Sequence, residues 1–328
     1  MKHRLTKRIL SLFCAGALGF ALPASANMFL AEDIQTVAAV NHPPVAEALC
    51  LNTYKNVEVQ GTFSGVDPEG DLLTFQLISK PARGAVTQAE NGSAAFTYTP
   101  YENKTGKDAF TYVAVDAQGN TSSPATVSVK ISKQKTKVTY SDMTGVEGHR
   151  EAVRLAEAGL LVGEKMGSDY FFHPEQTMSR AQFTALAMDV ADLESMDGVQ
   201  VTGFADDGVM AMWAKPYVSA ALRSGVVRGS FDDMGQVVFL PDAPVTAAEA
   251  AVLLNRALAV TDVPSAAETM ADVPAWCVQA VANLDSCGAM PASAVLSEPL
   301  TRAQAAVMLD RAMDVMDSRD QGGWFNWG

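Results

Sequence analysis

Three short stretches with one local grammar restrict this chain more than anything in its composition. Thr301 is followed three residues later by Gln304, Ser179 by Gln182 and Thr246 by Glu249. A Ser or Thr with Gln or Glu three residues on is a capping box. The hydroxyl takes one orphan amide of the first helical turn, and the longer side chain reaches back to the cap's own amide. Behind Thr301 the apolar residues Ala305, Val307, Met308 and Ala312 fall on one helical face. The caps lie 67 and 55 residues apart, a spacing at which one supersecondary unit is used several times over. Two of the three helices open with an arginine, Arg180 and Arg302; the third opens with Ala247. A cation there opposes the helix dipole. Beside a helix N-terminus it also makes a site suited to an anion.

The chain has 328 residues, enough for two or three domains with cores of their own. Its formal net charge of −13 argues against nucleic acid or an acidic membrane surface as the main partner. Residues 1–26 read as a secretory signal peptide: cations from Lys2 to Arg8, an apolar run from Ile9 to Leu22, then Ala24-Ser25-Ala26 before Asn27. That run is short for a span of about 20 residues, so a secreted chain without a membrane span is expected after cleavage. Residues 27–41 carry no pattern and are read as a leader. Cys50, Cys277 and Cys287 then remain, an odd number that makes no disulfide framework. Cys277 and Cys287 sit ten residues apart in a helical stretch, about 15 Å by the helical rise and beyond disulfide reach unless the helix ends early. All three are read as small buried apolar residues.

Residues 42–132 alternate like strands: Val57 to Gln60, Leu73 to Leu77, Phe96 to Thr99, Phe110 to Val115 and Thr126 to Ile131. Turn residues at Pro81 to Gly84, Asn91-Gly92, Pro100 to Gly106 and Asp116 to Asn120 separate them. Short alternating strands over about 90 residues predict a β-sandwich. Asp67-Pro68-Glu69-Gly70-Asp71, Phe96-Thr97-Tyr98-Thr99-Pro100 and Gly106-Lys107-Asp108-Ala109-Phe110 resemble the bacterial Ig-like or cadherin-like repeats of surface proteins. The resemblance implies a fold and leaves the ligand open, with an extracellular protein or glycan as the expected partner. Asp67, Glu69 and Asp71 form either a calcium site, since carboxylates on a tight Gly-containing loop suit a hard cation, or an acidic solvated turn. Residues 133–139 read as a solvated linker carrying Lys133, Lys135 and Lys137.

Residues 140–315 are expected to be helical and to repeat. The second unit is clearest: Phe204-Ala205-Asp206, Trp213, the stripe Tyr217, Val218, Ala221, then Gly225 to Gly229, Phe239-Leu240-Pro241 and the Thr246 helix. The third has Met270-Ala271-Asp272, Trp276, Ala280, Val281, Leu284 and Gly288; the first has Tyr140-Ser141-Asp142, Val153, Gly159 to Gly163, Phe172-His173-Pro174 and no Trp. This order resembles the S-layer homology (SLH) module, which occurs as three in tandem. The resemblance implies an all-α pseudo-threefold bundle of repeats at 140–198, 199–263 and 264–315. Its grooves would bind a secondary cell-wall polysaccharide, typically pyruvylated, and so hold the protein at the cell wall or S-layer. The motif's arginine is a main contact in that family, which assigns the role to Arg180 and Arg302; Ala247 departs from the pattern and puts the second groove in doubt. Each arginine alone would read as a solvated surface residue. Trp213 and Trp276 are core residues or groove platforms, and Asp206 and Asp272 are loop or cap residues or groove contacts. Residues 316–328 form an aromatic tail ending Trp324-Phe325-Asn326-Trp327.

Motifs for chemistry are missing from the sequence. His3, His42, His149 and His173 are scattered, with no His-Glu-x-x-His, no zinc-spaced cysteine pair, no Gly-x-Ser-x-Gly and no phosphate loop. The expectation is a multidomain, non-enzymatic surface protein: an Ig-like sandwich, then the helical anchor. The rival readings are an adhesin or carbohydrate-binding protein acting through the sandwich, a surface hydrolase with an unrecognised site, and an S-layer or scaffold component.

Overall fold

The computed structural model describes residues 41–260, 270 and 273–320. The expected signal peptide, nearly all of the leader, Asp272 and the last eight residues of the tail lie outside the described residues.

The first part is a two-layer sandwich. One sheet has the order β2 (Leu49–Tyr54), β9 (Ala125–Ser132), β8 (Gly106–Val115), β5 (Thr74–Ser79); the other has β3 (Val59–Thr62), β7 (Ala95–Pro100), β6 (Gly84–Gln88). A short pair, β1 (Val45–Ala46) with β4 (Gly65–Val66), closes one end. All named pairings are antiparallel except β2 with β9. Strand β9 shows the period that made it legible: Ala125, Val127, Val129 and Ile131 are buried while Thr126, Ser128 and Lys130 are exposed. Phe63 holds the layers together, stacked on Phe96 at 4.2 Å and on Tyr112 at 4.3 Å between ring centroids. Strands β2 and β6 escaped the sequence reading. In β2 the outward position holds Cys50, an apolar type, so the alternation is muted. Strand β6 begins inside what reads as a turn. Cys50 and Cys287 are exposed and only Cys277 is buried, which corrects the expectation that all three are core residues.

The Val57 to Gln60 alternation also lands differently. Val57 sits in the helical core, and β3 starts two residues later. Lys133, Lys135 and Lys137 are exposed as a connector requires, but the connector is not the main joint. Glu58 accepts the Gly145 amide at 2.6 Å and lies 3.1 Å from the buried ring of His149. Tyr54 donates to Glu157 at 3.0 Å. Burial raises Glu58, yet the hydrogen bonds from His149 and Gly145 outweigh it and hold the carboxyl below its ordinary range.

The second part contains α1 (His149–Glu157), α2 (Arg180–Val190), α3 (Ala214–Arg223), α4 (Ala247–Leu258), α5 (Val278–Ser286) and α6 (Arg302–Asp320). Two small hairpins correct the all-α expectation: β10 (Glu164–Met166) with β11 (Asp169–Phe171), and β12 (Ser230–Phe231) with β13 (Val237–Val238). Strands of two or three residues have no period to read. Helix α6 also runs on past residue 315, into the expected tail.

Helices α2, α4 and α6 touch one another, and the other helices pack onto these three: α3 on α2, α5 on α4, α1 on α6. Helix α4 is buried nearly all round, and its alanines at 247, 248, 250, 251 and 257 let neighbours approach. The segments leading into α2, α4 and α6 close a ring of three backbone hydrogen bonds. Met178 donates to Leu300 at 3.0 Å, Leu300 to Val245 at 2.8 Å and Val245 to Met178 at 3.0 Å.

One ion pair sets a local acid limit. Lys215, buried on α3, donates to Asp207 at 2.8 Å, and the Thr202 amide donates to the same carboxylate at 2.6 Å. The Lys215 hydrogen bond leads in lowering Asp207 to about 2. Stability from a depressed carboxylate is full above its unfolded pKa, near ~4, and is lost as pH falls through the folded value. The melting temperature of Asp207→Asn is therefore expected below wild type at pH 7, with the gap closing between about pH 4 and pH 2. A gap independent of pH in thermal melts would contradict this.

Candidate functional site

The three capped helix tips are the repeated feature, so the site begins there. Both halves of the box are present at all three. Ser179, Thr246 and Thr301 hydroxyls accept the amides of Gln182, Glu249 and Gln304, whose side chains accept the cap amides in return. The next finding runs against the expectation of free donors for an anion. In α2, the Arg180 and Ala181 amides donate to the carbonyls of Ala243 and Pro241. In α4, Ala247 and Ala248 donate to Glu298 and Leu296; in α6, Arg302 and Ala303 donate to Gln176 and Pro174. Each tip is thus closed by the segment that leads into another of these three helices. With the first three amides engaged, little is left of the anion site a bare helix N-terminus offers. An acid group brought to these tips would meet side chains and no free amide of the first three.

The two arginines are not equivalent. Arg180 Nη2 lies 2.5 Å from Glu249 Oε1, and its Nε is buried without a hydrogen-bond partner. Arg302 donates from Nε to the Phe172 carbonyl at 2.7 Å and stacks its guanidinium 5.0 Å from the Phe172 ring centroid. No carboxylate among the described residues comes within ion-pair distance of Arg302. Burial lowers its pKa, with Tyr140 and Asp142 opposing, and a guanidinium stays charged throughout. Ala247, at the third tip, is buried and offers nothing to a ligand.

The loop under Arg302 also lines a depression of about 530 Å³, bounded by Asp142, Glu164, His173, Pro174, Glu175 and Gln176. Its carboxylates suit hydroxyl donors better than a second acid group.

Trp213 and Trp276 are 51% and 58% exposed, so neither is a core residue. The matching place before α1 is Gly148, five residues before Val153 as Trp213 is five before Val218 and Trp276 five before Val281. Its φ is +88°, and a Cβ there would lie 2.8 Å from the Ala303 carbonyl, so no side chain fits. Asp206 is a clamp: its two carboxylate oxygens accept the amides of Phe239 and Leu240 at 2.9 and 2.7 Å. Asp142 holds Phe172 and His173 in the same way. These aspartates fix the loops under the arginines and have their oxygens occupied. Sequence reasoning missed the Arg180–Glu249 pair because Glu249 already had a role as a cap residue.

On the sandwich, Asp67 and Asp71 come together as expected, and Glu69 does not join them. Its carboxylate binds the His42 amide at 3.0 Å and ring at 2.6 Å. Asp116, from the turn after β8, takes its place. The signal for it was the Asp116 to Asn120 turn itself, whose partner in space no local pattern names.

A family model described as bacterial Ig domain matches residues 41–130, and one described as S-layer homology domain matches residues 206–251. The chain joins a bacterial Ig domain to an S-layer homology domain. The Ig match covers the sandwich to within two residues of its end, and the SLH match runs from Asp206 into the first half of α4. The surface-layer 125 kDa protein of Lysinibacillus sphaericus is 31% identical over 87 residues, 26% of this chain and 7% of that protein. The amylopullulanase of Thermoanaerobacterium thermosulfurigenes is 27% identical over 119 residues, 35% of this chain and 6% of that enzyme. The chain therefore spans less than a tenth of either relative. Among solved structures, an endo-fucoidan hydrolase of glycoside hydrolase family 107 is 24% identical with a TM-score of 0.23, over 27% of this chain and 14% of that one. Among the described residues no helix is long and apolar enough to cross a membrane.

Proposed function

We propose that this is a non-catalytic bacterial cell-surface protein, held non-covalently on a pyruvylated secondary cell-wall polysaccharide by three SLH repeats and displaying its Ig domain outward. The SLH match and the likeness to a surface-layer protein support the cell-surface reading. The backbone ring through Met178, Val245 and Leu300, with helices packed across each repeat boundary, supports three repeats about one axis. The observation that carries the binding role is Arg302: a half-buried guanidinium stacked on Phe172 with no carboxylate beside it. A ketal carboxylate would complete that cation with charge-assisted hydrogen bonds. Trp213 and Trp276 offer exposed aromatic faces for sugar rings, and Arg180 becomes a contact only when Glu249 releases it.

The test is retention of the full-length chain on two wall preparations, one pyruvylated and one with the ketal removed. Retention is expected on the first and lost on the second. Equal retention on both, or none on either, overturns the proposal.

A further inference from the structure

The end of the sandwich carries a group of side chains with no role in wall binding. Asp67 sits at the turn after β4, Asp71 four residues on, and Asp116 at the end of β8. One carboxylate oxygen from each lies within 4.8 Å of the others. Asp67 is 7% exposed and Asp116 is 5% exposed. Three acids drawn into so small a volume repel one another, and taking each from water is costly unless something answers the charge.

The hydrogen bonds answer it only in part. Asp67 Oδ1 accepts the amides of Glu69 and Asp71, both at 3.0 Å. Asp116 Oδ1 accepts those of Gln118 and Asn120, and its Oδ2 accepts the Asn120 side chain at 2.9 Å. The amides hold the two turns in shape and aim the remaining oxygens. Asp67 Oδ2 and Asp71 Oδ2 are buried with no hydrogen-bond partner. Two orphaned acceptors in a folded protein call for a donor or a cation. No Lys, Arg or His forms an ion pair with Asp67 or Asp71 among the described residues. His42 is bound to Glu69 instead.

We infer that Asp67, Asp71 and Asp116 form a calcium site that pins the turn after β4 to the turn after β8. The donor set is all oxygen and anionic, which selects a hard divalent cation over zinc or copper. Oxygens bound to one calcium at about 2.3–2.6 Å can stand no more than roughly 5 Å apart, which the observed spread satisfies. Calcium adapts its ligand number and geometry to such a set, whereas magnesium demands near-octahedral ligands at about 2.0–2.1 Å. The site is independent of the arginine tips, so wall binding can fail while calcium binding stands, and the reverse.

The experiment uses the full-length chain stripped with chelator. Calcium chloride is added while heat of binding and melting temperature are followed, with magnesium chloride at equal concentration as control. The expected result is one saturable site and a rise of about 3–6 °C at excess calcium, with a smaller magnesium response. Asp71→Asn is the decisive variant, because the Asp71 carboxylate holds no hydrogen bond in the scaffold. Without metal it should melt at or above the wild-type temperature, since one repelling charge has gone, and its calcium response should vanish. Asp116→Asn should lose the response as well. Glu69→Gln, at the acid that left the cluster, should keep it. A wild type that neither releases heat nor shifts, or an Asp71→Asn protein that keeps the full shift, overturns the assignment. So does loss of the shift in Glu69→Gln.

Discussion

Asp310→Ala is expected to unfold at markedly lower urea than the wild type, with a loss of about 2–4 kcal/mol. Asp310 lies in the middle of α6 and is 0% exposed. Its carboxylate binds the guanidinium of Arg150 and, at 3.0 Å, that of Arg154, both on α1. Removing one partner of a buried pair usually costs about 3–5 kcal/mol, because a charge is left behind without its answer. The figure is discounted here since Arg150 keeps Glu151 at 3.0 Å and Arg154 keeps Asp314 and Asp317 at 2.5 and 2.9 Å. The effect should spread beyond the site. Helix α1 packs on α6, so the ion pair ties these two helices, far apart in sequence, together. Urea titrations followed by circular dichroism measure the change. A loss under about 1 kcal/mol would mean the arginines are fully served by their outer partners.

The second large effect is a split between the two arginines in wall binding. Arg302→Ala should weaken retention tenfold or more, about 1.4 kcal/mol or above, because the proposed acid group loses its cation. Arg180→Ala should change it by less than about threefold, since its charge is already answered by Glu249. Glu249→Gln makes the argument sharper. Gln serves the capping box equally well, as Gln182 and Gln304 do in the other two helices, while the charge that holds Arg180 is removed. This substitution should strengthen binding and partly rescue Arg302→Ala. Sedimentation of labelled protein with pyruvylated walls measures the three single variants and the Arg302→Ala/Glu249→Gln double variant against wild type. Equal losses for the two arginines would show that Glu249 yields to the ligand without resistance, and the asymmetry would be wrong.

Much of the architecture was legible along the chain because it depends on near neighbours. The boxes at Ser179, Thr246 and Thr301 form from groups three residues apart. Strand β9 declares itself by a period of two, and the turn residues bound the sandwich. The candidate site was legible in its positions and misread in its chemistry. The arginines stand where the motif puts them, but the amides beside them are closed by carbonyls more than 40 residues away in sequence. Trp213 and Trp276 start amphipathic helices, where core and surface look alike until the neighbouring helices are in place.

What the sequence determined by itself is the kind and order of parts: a strand-rich segment, then capped helices in series, with their starts fixed by side chains that serve their own backbone. Tertiary structure alone decided the partners. It put α1 on α6, gave Arg180 to Glu249 and left Arg302 open, and exchanged Glu69 for Asp116 beside Asp67. The reason is one of range. A hydrogen bond or period within four residues is written in the local chain. A charge pair across 69 residues or an acid group gathered across 49 exists only once distant segments have been brought together by packing.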